Sequence, residues 1–467
     1  MINVTIVGGG PAGIASARVL AAHGVAATVI DEGRAPGGQI YRRARPGLAL
    51  DIENLLGAEA ANYRNFHATF DRLRDRIDYR PLTLVWVVDG KLVHTVRAGI
   101  ADAIEFDALI LATGATDRVL PIPGWTLPGV FTLGGAQVLL KEHGCLIGRR
   151  IVFCGSSPLL YLAAQQYRAM GAEIAAVLDA TAFAGKIAAA PDLMAAPGTL
   201  ARGLGYMRAL WRNRVPIHHG IRLRAFEGTD GVEQVRFRDH RDREHVIACD
   251  AVALGFGLKP ETQLAELAGA ELHYDPLFRQ WLPNPDGNGR CGGNVYVAGD
   301  GATIGGAQVA ALTGELAACA VLDDFKIAIN GIDRTRARRQ VARLRRFQRG
   351  LARAFAWPVG AIHDLDDGTM ICRCEGISAG ELRASIHAGF GPTEVNRLKA
   401  ITRCGMGRCQ GRFCGLAAAE LTAHALNLPL EAVGRLRAQA PLKPIPLSVS
   451  LARSAPAAAP DETSARA

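Results

Sequence analysis

Residues 4–32 read VTIVGGGPAGIASARVLAAHGVAATVIDE, and the order of residue types in this stretch decides the fold. Val4–Val7 reads as a buried strand, Ile14–Ala22 as a helix, and Ala27–Ile30 as a second strand. Between the first strand and the helix, Gly8, Gly10 and Gly13 stand as G-x-G-x-x-G, with Pro11 and Ala12 at the helix start. Gly8 suits the tight turn, Gly10 lets bare backbone approach a pyrophosphate, and Gly13 lets the helix pack closely on the strand. The helix start then offers free N–H groups and a positive dipole end to phosphate. Asp31, followed by Glu32, comes 23 residues after Gly8, where a carboxylate can accept ribose hydroxyls. The stretch therefore predicts a dinucleotide-binding βαβ unit.

Three later stretches point to FAD. GRAPGGQIYR (33–42) places Gly37, Gly38 and Gln39 where a loop can lie against a flavin pyrophosphate. DALILATGATDRVLPIPG (107–124) carries Ala112, Thr113 and Gly114 after a buried strand, and NVYVAGDGATIGGAQVAALTGELAA (294–318) carries Gly299 and Asp300 before a helix. Together they resemble the thioredoxin-reductase and glutathione-reductase superfamily of two-dinucleotide-domain flavoproteins. That resemblance covers residues 2–320. It implies that the Ala-Thr-Gly strand crosses from the FAD domain and that Gly299 and Asp300 bind the ribityl chain and pyrophosphate.

The superfamily inserts a second unit for NAD(P)H, which here is RRIVFCGSSPLLYLAAQQYRAMGAEIAAVLDA (149–180). Its glycine motif has become Gly155-Ser156-Ser157-Pro158-Leu159-Leu160. Ser157 puts a side chain where the pyrophosphate needs bare backbone, and Leu160 stands where a glycine permits close packing. Asp179 keeps a ribose-binding position, which leaves two readings open, an adenine-nucleotide site or a scaffold. No redox pair of cysteines lies before residue 330; Cys145, Cys154, Cys249, Cys291 and Cys319 are scattered. The flavin then lacks both the usual hydride donor and the usual disulfide acceptor.

The remaining cysteines cluster late. Cys372, Cys374, Cys409 and Cys414 follow C-x-C-x34-C-x4-C, with Cys404 as a fifth. Segments 378–388 and 393–402 between them read as short helices. Four thiolates suit a [2Fe–2S] cluster. Zinc and redox-active or merely packed thiols are the alternatives, although C-x-C is an uncommon zinc corner. Gly405, Gly407 and Gly411 let the loop backbone wrap the sulfurs. This region resembles the bacterioferritin-associated-ferredoxin-like [2Fe–2S] domain, with C-x4-C in place of that family's usual C-x-x-C. The resemblance implies Cys372, Cys374, Cys409 and Cys414 as ligands, and Cys404 is expected not to be one.

The rest of the composition agrees with a globular component of an enzyme. The 467 residues are 49% hydrophobic and 21% charged, enough for several cores. Net charge is +9, with nine arginines and no acid in 334–353, RTRARRQVARLRRFQRGLAR. Val341, Leu344, Leu351 and Phe355 recur there at helical spacing, so a one-sided helix is expected rather than a nucleic-acid patch. Leu200, Leu204, Met207 and Leu210 are expected on one face of a helical insert over 193–214. No run of 18 apolar residues exists and the N-terminus enters a strand at once, so a cytoplasmic protein without a membrane span is expected. The tail SAPAAAPDETSARA reads as disordered.

The expected fold is α/β, two Rossmann-like dinucleotide-binding domains plus a small helical ferredoxin-like domain. The boundaries are 1–121 and 254–330 for the FAD domain, 122–253 for the inserted unit, 331–362 for an arginine-rich linker, 363–430 for the [2Fe–2S] domain and 431–467 for the tail. CRCE, GMGRCQGRFC and RAQAPLKPIPL (437–447) further resemble the A-type subunits of hetero-oligomeric flavin dehydrogenases. Octopine and nopaline oxidases, hydrogen cyanide synthase and D-hydroxyproline dehydrogenase belong to that group. The resemblance implies an electron-transferring subunit with FAD and [2Fe–2S], serving a catalytic FAD-containing amine-dehydrogenase subunit. The third component is often a small ferredoxin-like subunit, and FMN can lie between the larger two. No catalytic acid–base constellation stands out; His143, His218 and His219 are expected on the surface or in the core. The competing readings are a self-sufficient NAD(P)H-dependent reductase and a non-catalytic subunit holding FAD structurally and zinc in the cysteine site.

Overall fold

The computed structural model describes residues 2–389 and 391–451. The tail expected to be disordered lies outside the described residues.

Strand Val4–Val7 stands in the middle of a five-stranded sheet ordered Val295–Val297, Ala108–Leu111, Val4–Val7, Ala27–Ile30, Asp78–Arg80. All four pairings are parallel, with Val4 between Ala108 and Ala27. Strands Val4–Val7 and Ala108–Leu111 are buried at every residue, as parallel strands covered on both faces should be. The helices Pro11–Ala22 and Ala307–Asp324 pack on each other along this sheet. Contact is close because Gly314 has no side chain; a methyl group there would stand 2.2 Å from Ala12 O. Ser16 seals the joint, its Oγ donating to Gly314 O at 2.8 Å.

The inserted unit repeats the plan. Its parallel sheet runs Ile217–His219, Glu173–Asp179, Arg150–Gly155, Ala251–Gly255, Val130–Thr132, with an antiparallel meander of Arg222–Glu227, Gln234–Arg238 and Glu244–Ala248 beside it. The expected helix over 193–214 starts only at Pro197 and ends at Arg212. Its proposed single face does not hold together: Leu210 is buried but Leu204 is 55% exposed. Six residues apart on a helix, the two side chains point about 120° apart.

Helix Arg334–Ala354 forms as expected, burying Ala337, Val341, Leu344 and Phe347, with Leu351 and Phe355 partly buried. Several of its arginines pair within the chain. Arg346 and Arg353 reach Asp192, Arg334 reaches Asp323, and Arg338 Nε donates to Asn288 Oδ1 at 3.0 Å. This is the one-sided helix expected from the sequence.

Helices Ala379–Ile386 and Val395–Thr402 match the two expected before the last cysteines, and Gly415–Ala425 follows them. Ser378 and Glu381 close a capping box on the first. This last region is packed into the rest of the chain. Ile371, Leu382, Ala417 and Leu421 share one continuous core with Val152, Leu178 and Leu254 of the inserted sheet. At its edge Trp125 Nε1 donates to Met370 O at 2.7 Å, and buried Glu420 takes a two-point bond from Arg279 at 2.8 and 2.6 Å. No helix among the described residues is long and apolar enough to cross a membrane.

Candidate functional site

The stretches singled out in the first half of the sequence converge at the C-terminal ends of strands Val4–Val7, Ala108–Leu111 and Val295–Val297. Gly8, at φ +112°, turns so tightly that a β-carbon would stand 2.2 Å from Ala112 O. Gly13 lies still closer, 1.8 Å from Gly8 O on the same measure. Gly38 meets Gly10, Gly299 meets Ala12, and Gly301 meets Thr113. Helix Pro11–Ala22 starts at Gly10 with no side-chain cap, leaving the N–H groups of Ala12 and Gly13 without partners among the described residues. Helix Ala307–Asp324 also starts uncapped, at Gly306.

Two carboxylates complete this cradle. Asp31 Oδ1 accepts from Gly33 N at 2.8 Å, and Tyr79 OH lies 3.4 Å from Oδ2. Burial pushes its pKa up to about 6, against the Gly33 N–H, Tyr79 and Gly9 N–H. Asp300 Oδ1 accepts from Gly305 N at 2.8 Å and Gly306 N at 3.0 Å. Burial raises this carboxyl too. Glu32 is tied to Lys443, and Gln39 Oε1 accepts from Arg42 at 3.1 Å. The uncapped helix starts, bare glycine edges and buried carboxylates fit FAD, whose ribose and ribityl hydroxyls donate and whose pyrophosphate accepts.

One group in this region was not legible from the sequence pattern. Lys141, on helix Leu133–His143 of the inserted unit, is buried with Nζ 3.4 Å from Gln39 O and Ile40 O. Burial pushes its pKa down to about 8. It ties the inserted unit to the Gly38–Gln39 loop.

The Asp31 shift gives a pH prediction. Ribose hydroxyls need the ionised carboxylate as acceptor, and a raised pKa means that form is lost as pH falls through about 6. A hydrogen bond to a charged group is worth about 1.5–3 kcal/mol, and the ionised fraction falls about tenfold from pH 7 to pH 5, so FAD affinity is expected to drop by about five- to tenfold over that range. Fluorescence titration of the flavin-free protein measures it. Asp31→Asn should bind more weakly at pH 7 and show little of that slope; the same slope in the variant would assign it to another group.

In the inserted unit the corresponding corner is filled by the chain itself. Ser156 and Ser157 are buried, and Leu160 is fully buried in the core beside Gly255. Asp179, fully buried, receives Thr181 N at 2.9 Å and Thr181 Oγ1 at 2.5 Å on Oδ1. Tyr161 OH at 2.5 Å, Lys186 Nζ at 2.5 Å and His219 Nδ1 at 3.3 Å converge on Oδ2. Burial opposes ionisation, but His219, Lys186 and Thr181 outweigh it and hold Asp179 well below the usual carboxylate range. A carboxylate offers about four acceptor positions, and five groups already address this one. Nothing remains for a ribose hydroxyl. His219, expected to be an ordinary surface or core residue, is half-buried in this network.

All five late cysteines come together. The sulfurs of Cys372, Cys404 and Cys414 lie within 4.8 Å of one another, all three buried. Cys409 bridges Cys414 and the exposed Cys374 through side-chain contacts. The four expected ligands thus form a continuous chain, 372–414–409–374. Cys404, expected to stand aside, is in contact with two of them. Strand Met370–Cys372 delivers the first thiol, the left-handed Arg403 (φ +64°) turns the chain to Cys404, and Cys414 begins helix Gly415–Ala425.

Thiolate character is shared unevenly. Cys404 and Cys414, with the N–H groups of Gly405 and Glu375, pull Cys372 far below the usual thiol range. Cys409 is lowered to about 5 by Cys414, Cys374 and the N–H groups of Phe413 and Gly411. Contact with Cys372 leads in pushing Cys404 up to about 12, and contact with its neighbours and burial raise Cys414. Soft sulfur donors surrounded by backbone N–H groups are the donor set of an iron–sulfur cluster, and these residues fit one.

Residues 2–314 match the pyridine nucleotide-disulphide oxidoreductase family, and 370–424 match the BFD-like [2Fe-2S] binding domain. The chain belongs to the pyridine nucleotide-disulphide oxidoreductase family. It is an oxidoreductase with an FAD fold and an appended [2Fe–2S] domain. Among relatives of this flavoprotein, one of the subunits of an opine oxidase from Agrobacterium tumefaciens is 35% identical, covering 96% of this chain and 90% of its own. The hydrogen cyanide synthase subunit HcnB of Pseudomonas protegens is 31% identical, covering 96% and 97%. The crystal structure of L-proline dehydrogenase from P. horikoshii shares the fold with a TM-score of 0.69 at 21% identity, covering 96% of this chain and 79% of that one. Thioredoxin reductase of T. acidophilum aligns at a TM-score of 0.50 and 20% identity, over 70% of this chain and all of its own.

Proposed function

We propose that this flavoprotein is the electron-transferring FAD/[2Fe–2S] subunit of a multi-subunit dehydrogenase whose substrate is an amine, namely an opine, imino acid or amino acid. Oxidation of the amine takes place on a partner FAD subunit. In this reading FAD supplies two-electron and one-electron redox chemistry in one site and the cluster one-electron chemistry in the other. Gly8, Gly10, Pro11, Ala12, Gly13, Asp31, Glu32, Gly38, Gln39, Ala112, Thr113, Gly114, Gly299 and Asp300 hold the flavin. Cys372, Cys374, Cys409 and Cys414 hold the iron.

The observation that carries the reading is the Asp179 corner. The chain keeps a complete flavin cradle but fills the ribose position of its second nucleotide unit with Tyr161, Thr181, Lys186 and His219. A ribose position filled in this way disfavours NAD(P)H as the hydride donor and supports another protein component as the source of electrons, with the cysteine cluster as exit or entry. The relatives named as subunits of opine oxidase and hydrogen cyanide synthase support a partner, and opine oxidase supports the amine-type substrate. No nucleotide is assigned to the second unit. An FMN between the large subunits and a small ferredoxin-like subunit belong to the same reading, as does a cytoplasmic location, where ten cysteines with no disulfide among them persist.

Anaerobic purification with iron, sulfide, zinc and flavin assays, then addition of NADH or NADPH, tests it. Two iron and two sulfide per chain are expected, with the flavin absorbance unbleached by either nucleotide over minutes. Bleaching on mixing would make the protein a reductase in its own right and defeat the subunit reading.

A further inference from the structure

One buried ion pair touches both cofactor sites and belongs to neither donor set. Arg412, between Cys409 and Cys414 in sequence, places Nε 2.7 Å from Glu261 Oε2 and Nη2 3.3 Å from Oε1. The two side chains are only 12% and 14% exposed. Glu261 also grips the flavin side with its backbone. Its N–H donates to Gly114 O at 2.9 Å, and its C=O accepts from Thr113 Oγ1 at 2.7 Å. On the other side Arg412 Nη1 donates to Cys409 O at 3.3 Å and to Leu442 O at 2.9 Å.

The neighbours of Glu261 reinforce the contact. Gln263 Nε2 donates to Gln410 O at 2.9 Å. Burial lowers the pKa of Lys259, against Glu261, Cys409 and Cys414, which raise it. Burial penalises ionisation of Glu261, but Arg412 and Lys259 outweigh it and hold the carboxyl below its usual range. A buried ion pair contributes little net stability compared with a packed apolar pair. Its use is better sought in what it holds and in the charge it sets.

We propose that Glu261 and Arg412 form a positioning pair that locks the 409–414 cysteine loop onto the Ala112-Thr113-Gly114 turn and sets the charge around the cluster. The flavin and iron–sulfur sites then move as one rigid unit. The inference rests on the electron-relay reading for its purpose, and on the cysteine pocket holding iron. The pair itself passes no electron and no proton. Taking up one electron, from reduced flavin in the working protein or from dithionite in a test, adds one negative charge to the four-thiolate pocket. The guanidinium of Arg412 favours that added charge, and the carboxylate of Glu261 opposes it.

The two partners therefore act with opposite sign, which a merely structural role does not. The full chain, with FAD and iron content assayed, is titrated with dithionite and mediators while the cluster is followed by EPR. Arg412→Gln should make reduction about tenfold harder, a fall of about 59 mV for one electron. Glu261→Gln should make it easier by a comparable factor, and Arg412→Lys should stay near the unaltered protein. Shifts of one sign in both glutamine variants, or less than a twofold change in both, overturn the proposal. Should Arg412→Gln lose its iron, Glu261→Gln decides alone, since its backbone hold on Thr113 and Gly114 is intact; there, a fall or no change overturns it. Bleaching of the unaltered flavin by NADH would defeat the relay reading and leave this titration valid. Zinc in place of iron would defeat both.

Discussion

Cys409→Ser is expected to remove iron and sulfide from the protein and to leave about one FAD per chain. Cys409 is the thiol between Cys414 and Cys374, so its loss breaks the four-sulfur chain in the middle. A serine hydroxyl is a hard donor and a poor substitute for a thiolate on iron. The flavin residues sit on another sheet, and the Glu261–Arg412 link reaches Cys409 through its carbonyl oxygen, which serine keeps. Iron, sulfide and flavin assays with the visible spectrum read the result. Loss of flavin along with iron would show that the two sites fold as one cooperative unit. Cys404→Ser provides the contrast, with two iron per chain retained. A Cys404→Ser protein that keeps its flavin but holds no iron would instead put that buried thiol among the ligands.

Gly13→Val is expected to abolish FAD binding while the chain still folds. The valine β-carbon would stand 1.8 Å from Gly8 O, a backbone atom that cannot swing aside. The helix must back away from strand Val4–Val7, which drags the N–H groups of Ala12 and Gly13 off the phosphates. Overpacking a buried site by even a methylene costs about 1–3 kcal/mol, and a branched side chain against backbone costs more. An affinity loss of at least about a thousandfold, or about 4 kcal/mol, follows. Flavin content after purification and titration of the apoprotein measure it, with circular dichroism confirming retained helix. A native flavin spectrum at one FAD per chain would refute the role given to Gly13.

Much of this architecture was legible because its signals are local. Strand, glycine turn, helix, strand and acid in residues 4–32 each constrain the backbone within a few residues. Strands Val4–Val7 and Ala27–Ile30 and the helix between them formed where they were expected, the helix starting three residues earlier, at Pro11. The arginine helix was legible for the same reason, since Val341 and Leu344 recur at the helical period. The helical insert failed where the spacing was stretched too far, and Leu204 turned out to solvent.

The sequence by itself therefore determined the two Rossmann-like units and the appended ferredoxin-like domain, and it proposed the residues for FAD and the thiol set. Each rests on short-range spacing that dictates backbone shape and donor chemistry. Tertiary structure alone decided which of these positions are open. Asp179 reads as a ribose ligand until His219, 40 residues on, and Lys186 close over it. Cys404 reads as a spare thiol until the turn after Arg403 sets it against Cys372 and Cys414. Glu261 and Arg412 are 151 residues apart and carry no motif. A buried charge finds its partner through space, so only the folded chain shows whether a carboxylate is free for a ligand or already held.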